Sequence, residues 1–122
     1  MSEHTDLIDR YIASWNERDD ARRRDLIAKT WTMTASYIDP VLQGEGRDGI
    51  DAAIQVAQAK FPGHRFRRTG PIEVHHDRAR FTWELAPADG AAVVSGTDFA
   101  VLSPDRRLHS VTGFFDSVPP TA

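Results

Sequence analysis

The chain has 122 residues, 40% of them apolar and 27% charged, a net charge of -3 and no cysteine. That length supports one packed core and not two. The mild acidity argues against a nucleic-acid surface, and the lack of cysteine removes disulfides, thiolate nucleophiles and Cys-held zinc.

The polar, acidic start Met1-Ser2-Glu3-His4-Thr5-Asp6 leads into a helix and reads as no signal peptide. No apolar run approaches the roughly 20 residues of a membrane span, so a cytoplasmic chain without membrane contact is expected. Leu7, Ile8, Tyr11, Ile12 and Trp15 recur at three- and four-residue steps and predict a helix from about Thr5 to Asn16. Asp19 and Asp20 can cap a second helix whose inner face would carry Leu26, Ile27, Thr30 and Trp31. The basic run Arg22-Arg23-Arg24, flanked by Asp19, Asp20 and Asp25, reads as its solvated start and not as a phosphate site. A short strand from Thr34 to Ile38 ends at Asp39-Pro40, and Gly44 and Gly46 open a loop. A third helix follows with Ile50, Ala53, Ile54, Ala57 and Phe61 on one face, ended by Pro62-Gly63.

The second half reads as strands: His64–Thr69, Ile72–His76, Arg80–Ala86, Ala92–Leu102 and Leu108–Asp116. Gly70-Pro71, Asp77-Arg78, Pro87-Ala88-Asp89-Gly90 and Pro104-Asp105 supply turn chemistry between them. Helices followed by a meander of long strands predict an α+β domain over residues 1–118. Three N-terminal helices would pack on a strongly curved, mostly antiparallel sheet, making a cone whose mouth is a pocket. Residues 119–122 read as a loose tail.

Asp98 is the one charge in the otherwise uncharged stretch Ala91–Leu102, and alternation puts it on the same side as Val94, Gly96, Ala100 and Leu102. A carboxylate there costs several kcal/mol unless it finds a donor, so Asp98 is expected to be paired or to keep its proton. Tyr11 lies on the apolar stripe of the first helix, and its buried hydroxyl needs a partner; Asp98 is a suitable one. Asp39, before a proline at a strand end, reads either as a turn residue or as a partly wet general base at the pocket mouth.

The segments Asp9-Arg10-Tyr11-Ile12-Ala13-Ser14-Trp15, Ser36-Tyr37-Ile38-Asp39-Pro40-Val41 and Ser95-Gly96-Thr97-Asp98-Phe99-Ala100-Val101-Leu102 resemble, in order and near-matching spacing, the active-site segments of bacterial ketosteroid isomerases. Gly46-Arg47-Asp48-Gly49-Ile50-Asp51-Ala52-Ala53 resembles the start of that family's third helix, and the likeness runs from about Leu7 to Asp116. The wider group is the NTF2-like superfamily with its SnoaL-like proteins, whose cone-shaped fold agrees with the pattern of elements. The resemblance implies that Asp39 is the base, and that Tyr11 and a protonated Asp98 hold the oxygen of an enolate. It implies a pocket lined by Trp15, Trp31, Ile54, Phe61 and Phe115. Trp31 and Ile54 stand where that family often has further tyrosines, and Phe115 where some members have tryptophan. The stretch Asn16–Leu26 is longer than theirs by roughly one helical turn; there, and in Gly113-Phe114-Phe115-Asp116, the chain is more similar to the SnoaL-like group.

The leading expectation is therefore cofactor-independent acid–base chemistry on a small apolar carbonyl compound, with allylic isomerisation as its concrete form. A polyketide-cyclase-like aldol reaction, with Asp98 as the main acid–base residue, is a rival. A non-catalytic binding or dimerisation module is another, since fold alone does not give activity. No metal-ligand spacing, phosphate loop or nucleophile elbow is present. His75 and His76 should point to opposite faces, His109 could face the pocket by alternation from Phe115, and Glu84 is expected to face solvent or an interface. Phe99, Val101 and Phe114 on the convex sheet side predict a homodimer.

Overall fold

Leu7, Ile8, Tyr11, Ile12 and Trp15 are buried along one stripe of α1 (Glu3–Asn16), as their spacing requires. The computed structural model describes residues 3–118, so the tail expected at 119–122 lies outside the described residues. Asn16 ends α1 by turning its side-chain amide onto the sheet: Nδ2 donates to the Phe66 carbonyl and Oδ1 accepts from the Phe66 N–H, both at 2.8 Å. Asp19 then caps α2 (Asp20–Thr30), accepting from the Arg22 N–H at 2.9 Å.

Trp31, expected on the inner face of α2, is instead the first residue of β1 (Trp31–Ile38). Arg47 explains the break, since its guanidinium donates to the Trp31 and Ala28 carbonyls at the end of α2. A three-residue strand, β2 (Gln43–Glu45), occupies the stretch read as loop. It fits because Gly44 brings its backbone against Gly49, where a methyl group would lie 2.4 Å from the Gly49 carbonyl oxygen. The third helix, α3 (Gly46–Lys60), follows directly. The two strands expected on either side of Gly70-Pro71 are one, β3 (His64–His75), because Gly70 takes φ +71° and the register slips between Thr69 and Glu73. The strand continues through a bulge and does not turn back. β4 (Arg78–Pro87), β5 (Val94–Leu102) and β6 (Leu108–Ser117) complete the sheet.

The six strands run in the order β2-β1-β6-β5-β4-β3. The β1–β6 pair is parallel and the others are antiparallel. The sheet is open and mixed, with the three helices packed on it, the α+β arrangement expected from the sequence. Register irregularities in β1, β3, β5 and β6 bend it. Its inner face is built of cross-strand rows. Ala79, Ala100 and Val111 form one; Phe81, Asp98 and Gly113 the next; Trp83, Gly96 and Phe115 a third; Leu85 and Val94 follow. Among the described residues, no helix is long and apolar enough to cross a membrane.

Arg22 and Arg24 are exposed, but Arg23 is not the solvated residue expected from its run. Its side chain is 1% exposed, with Nε on Asp51 and Nη2 on Asp20, both at 2.6 Å, and Nη1 on the Glu17 carbonyl. This joins α2 to α3 through a charge pair shielded from water. Replacing Asp51 by alanine leaves the buried Arg23 with Asp20 and the Glu17 carbonyl, and the expected cost is roughly 1.5–3 kcal/mol, that of one hydrogen bond to a charged group. Urea denaturation measures it; a loss under about 1 kcal/mol, no more than a surface pair contributes, would show that Arg23 does not depend on Asp51.

Candidate active site

Alternation along β5 turns Asp98 inward with Val94, Gly96, Ala100 and Leu102, and all five are buried. Asp98 is 2% exposed. From α1, the Tyr11 hydroxyl donates to its Oδ2 at 2.6 Å; from β4, the Trp83 indole N–H donates to its Oδ1 at 2.9 Å. Trp83 reaches that far because Gly96 leaves room: a methyl group there would stand 2.3 Å from the indole ring. Burial, the largest influence, pushes the Asp98 carboxyl from 3.8 up to about 6. The two hydrogen bonds pull it down and the charge of Asp39 pushes it up. The shift moves the carboxyl towards the protonated form that the resemblance implied, and brings its titration close to neutrality.

Asp39 closes β1 at the turn through Pro40. Its Oδ1 accepts from the Val41 and Leu42 N–H groups at 2.8 and 2.7 Å, and its Oδ2 accepts from the Tyr37 hydroxyl at 2.6 Å. Asp39 therefore braces the turn, as one expected reading had it, and it also lines the cavity. Burial raises the Tyr11 and Tyr37 phenols well above their usual value, with the charge of Asp98 adding to it. Gly113, beside Asp98 on β6, separates the two carboxylates. A methyl group added to it would stand 2.9 Å from Asp98 Oδ1, 3.2 Å from Asp39 Cβ and 3.4 Å from the Tyr37 hydroxyl oxygen.

These groups sit in a cavity of about 190 Å³. Exposed Val41, Lys60 and Val118 mark its mouth, and buried Tyr11, Tyr37 and Asp98 its depth. Of the five lining residues expected from the sequence, Trp15, Phe61 and Phe115 line it. Trp31 and Ile54 do not: both are fully buried behind the wall. Trp31 stands edge-on to Tyr11 with ring centres 5.7 Å apart, so it backs the phenol. It is Ala57 and Lys60 of α3, with Phe61 just beyond its C-terminal end, that reach the cavity.

Two site residues escaped the sequence reading. Tyr37 had a usable signal, since it lies two residues before Asp39 in a strand and so on the same face. Trp83 had none, because its contact with Asp98 depends on the β4–β5 register and on Gly96. His109 points outward, against the alternation from Phe115. Val101 pairs with Ser110 and Leu102 with Leu108, so His109 is the extra residue of a bulge that resets the faces. His75 and His76 do meet, at 3.1 Å, because His76 leaves the strand with φ 51°. Glu84 pairs with Arg67 at 2.5 Å on the outer sheet face. Among the described residues, no group of three or more histidines and carboxylates could hold a metal ion.

No family model matches the chain, and none of the curated proteins does. Solved structures do. A candidate isomerase of the SnoaL-like family from Agrobacterium tumefaciens is 42% identical over 96% of this chain and 100% of its own, with a TM-score of 0.90. A candidate SnoaL-like polyketide cyclase from Jannaschia is 20% identical over 93% of this chain and 85% of its own, with a TM-score of 0.74, a likeness of fold alone. A de novo designed protein with a curved β-sheet shares the fold at 10% identity and a TM-score of 0.70, over 95% of this chain and 88% of its own.

The raised Asp98 carboxyl also carries a stability consequence. Below pH 3.8 both folded and unfolded chains hold its proton; as pH rises the unfolded chain releases it first, so the folded state loses stability until about pH 6. The loss is about 3 kcal/mol at about 1.4 kcal/mol per pH unit. Asp98→Asn keeps the shape, can accept from Trp83 and donate to Tyr11, and never ionises. Its stability relative to wild type should therefore rise by about that amount between pH 4 and pH 7. Urea denaturation of both proteins across that range checks it; a constant difference would refute the assignment.

Proposed function

Since the chain belongs to the SnoaL-like family, we propose that it is a cofactor-independent acid–base enzyme of the isomerase type, moving a proton on carbon beside the carbonyl of a small, mostly apolar compound. The observation that carries this reading is a buried carboxyl near neutrality at the closed end of an apolar cavity. A group that titrates close to the working pH can take a proton and return it at little cost. Asp98 is the better proton carrier of the two carboxylates, because Asp39 spends its lone pairs on two backbone N–H groups and a phenol. In the proposed step Asp98 removes the proton α to the carbonyl. The C–H pair forms the enolate double bond, the carbonyl π pair moves to oxygen, and the same proton returns at the γ carbon. An aldol closure would begin with the same enolate.

Size restricts the substrate. An engineered cavity of about 150 Å³ takes a benzene molecule, so about 190 Å³ suits one ring or a short chain and not four fused rings. A homodimer is part of the same proposal. In register on the outer face, Ile38 and Phe99 flank Thr112, and Phe114 lies beside Thr97. Phe114 is 61% and Phe99 39% exposed, and no element of the described chain covers them. Sedimentation equilibrium at micromolar concentration should give twice the chain mass, and Phe114→Glu should give the monomer; a monomeric wild type would end this part of the proposal.

The enzymatic reading is tested with cyclohex-3-en-1-one, whose conversion to the conjugated enone is followed by ultraviolet absorbance. Wild type should turn it over with a rate that rises with pH through about 6, as the base ionises. Asp98→Asn should be slower by about a hundredfold or more, and a 5-ene-3-ketosteroid should not react. No isomerisation, together with no deuterium uptake from heavy water into cyclohexanone, would dismiss the enzyme.

A further inference from the structure

The two phenols of the cavity are held by their carboxylates in different ways. Tyr11 donates to an Asp98 whose only other donor is Trp83, at 2% exposure, so removing its proton leaves Oδ2 bare among apolar side chains. Tyr37 donates to an Asp39 that keeps the Val41 and Leu42 N–H groups and partial contact with solvent. Withdrawing the Tyr37 hydroxyl therefore costs its carboxylate far less. Tyr37 and Asp98 both line the cavity, and they approach one another over Gly113, where a methyl group would stand 3.4 Å from the hydroxyl and 2.9 Å from Asp98 Oδ1.

We propose that Tyr37 is the group that hydrogen-bonds the substrate's oxygen, turning from Asp39 onto a ligand carbonyl held in the cavity that Tyr37 and Asp98 both line. This rests on the reading of Asp98 as the proton carrier, and it assigns Asp39 the task of holding the phenol until a ligand arrives. The carbon to be deprotonated then lies on the Asp98 side and the oxygen that gains charge on the Tyr37 side. A donor so placed stabilises the enolate more than the ketone. The ligands it selects are carbonyl compounds that enolise, and the phenolates that copy their enolates.

4-Nitrophenol is the probe, because it fits one ring into the cavity and its absorption separates phenol from phenolate. On binding, Asp98 takes the phenol's proton and the phenolate oxygen is left facing Tyr37. Wild type should bind it as phenolate, and Asp98→Asn, a permanently uncharged copy of the protonated acid, at least as tightly. Tyr37→Phe should weaken phenolate binding roughly ten- to hundredfold, the worth of one hydrogen bond to a charge, with the melting temperature little changed. Asp39→Asn removes the competing acceptor, together with a charge that repels the anion, and should tighten binding severalfold; if Tyr37→Phe does not fold, 3-fluorotyrosine at position 37, a stronger donor, should tighten it as well, and unchanged binding there overturns the role. Binding by Tyr37→Phe within twofold of wild type, or weaker binding by Asp39→Asn, overturns the role of Tyr37 and leaves Asp98 as proton carrier. Failure of both wild type and Asp98→Asn to bind the phenolate overturns both.

Discussion

A carboxylate kept from water in an apolar wall, held only by a phenol and an indole, is the constraint around which this fold is arranged. Asp98 lies in mid-strand, where neither a turn nor a helix end can offer it backbone donors, so its partners must arrive from other elements. Tyr11 comes from α1 and Trp83 from β4. Each needs support of its own. Tyr11 is packed edge-on by Trp31 and Phe81 at 5.7 and 5.6 Å, and Trp83 by Phe66 and Phe115 at 5.5 and 6.2 Å. The aromatic content of the core therefore positions two hydrogen bonds as well as burying area.

Glycine is the other half of that arrangement. Two neighbouring inner rows each contain one, and each lies beside a bulky or charged group that could not otherwise be seated. Gly96 lets the Trp83 ring lie across β5, and Gly113 lets Asp98 and Asp39 approach one another where a side chain would stand. Neither needs glycine for its backbone angles; both need the absence of a side chain. A designed protein with a curved β-sheet reaches the same fold at 10% identity, so the cone itself does not require these residues. The cavity chemistry belongs to the side chains placed on it.

How much could be read from sequence follows from the range of each interaction. The helices were legible because spacing within a dozen residues decides which face is buried, as on α1. The Tyr11–Asp98 pair was legible from chemistry, since each is a polar group on an apolar face in need of a partner, across 87 residues of separation. The share of Trp83 was not, because it depends on which residue of β4 faces Gly96. The burial of Arg23 was hidden for a similar reason: its partner Asp51 belongs to another helix. Bulges defeated alternation at both Gly70 and His109, where one added residue changes which side chains face inward.

The two carboxylates differ in the kind of donor each receives. Backbone N–H groups are fixed by the turn that contains them, so the bonds from Val41 and Leu42 hold the Asp39 side chain in place. Side-chain donors can be given up or shared when a ligand enters, and Asp98 has no others. Burial does most to raise the proton affinity of Asp98, and the charge on Asp39 adds to it. A single carboxylate in the same wall would be easier to ionise and a weaker base. The proposed single proton in transit is thus compatible with two acidic residues in one small apolar space.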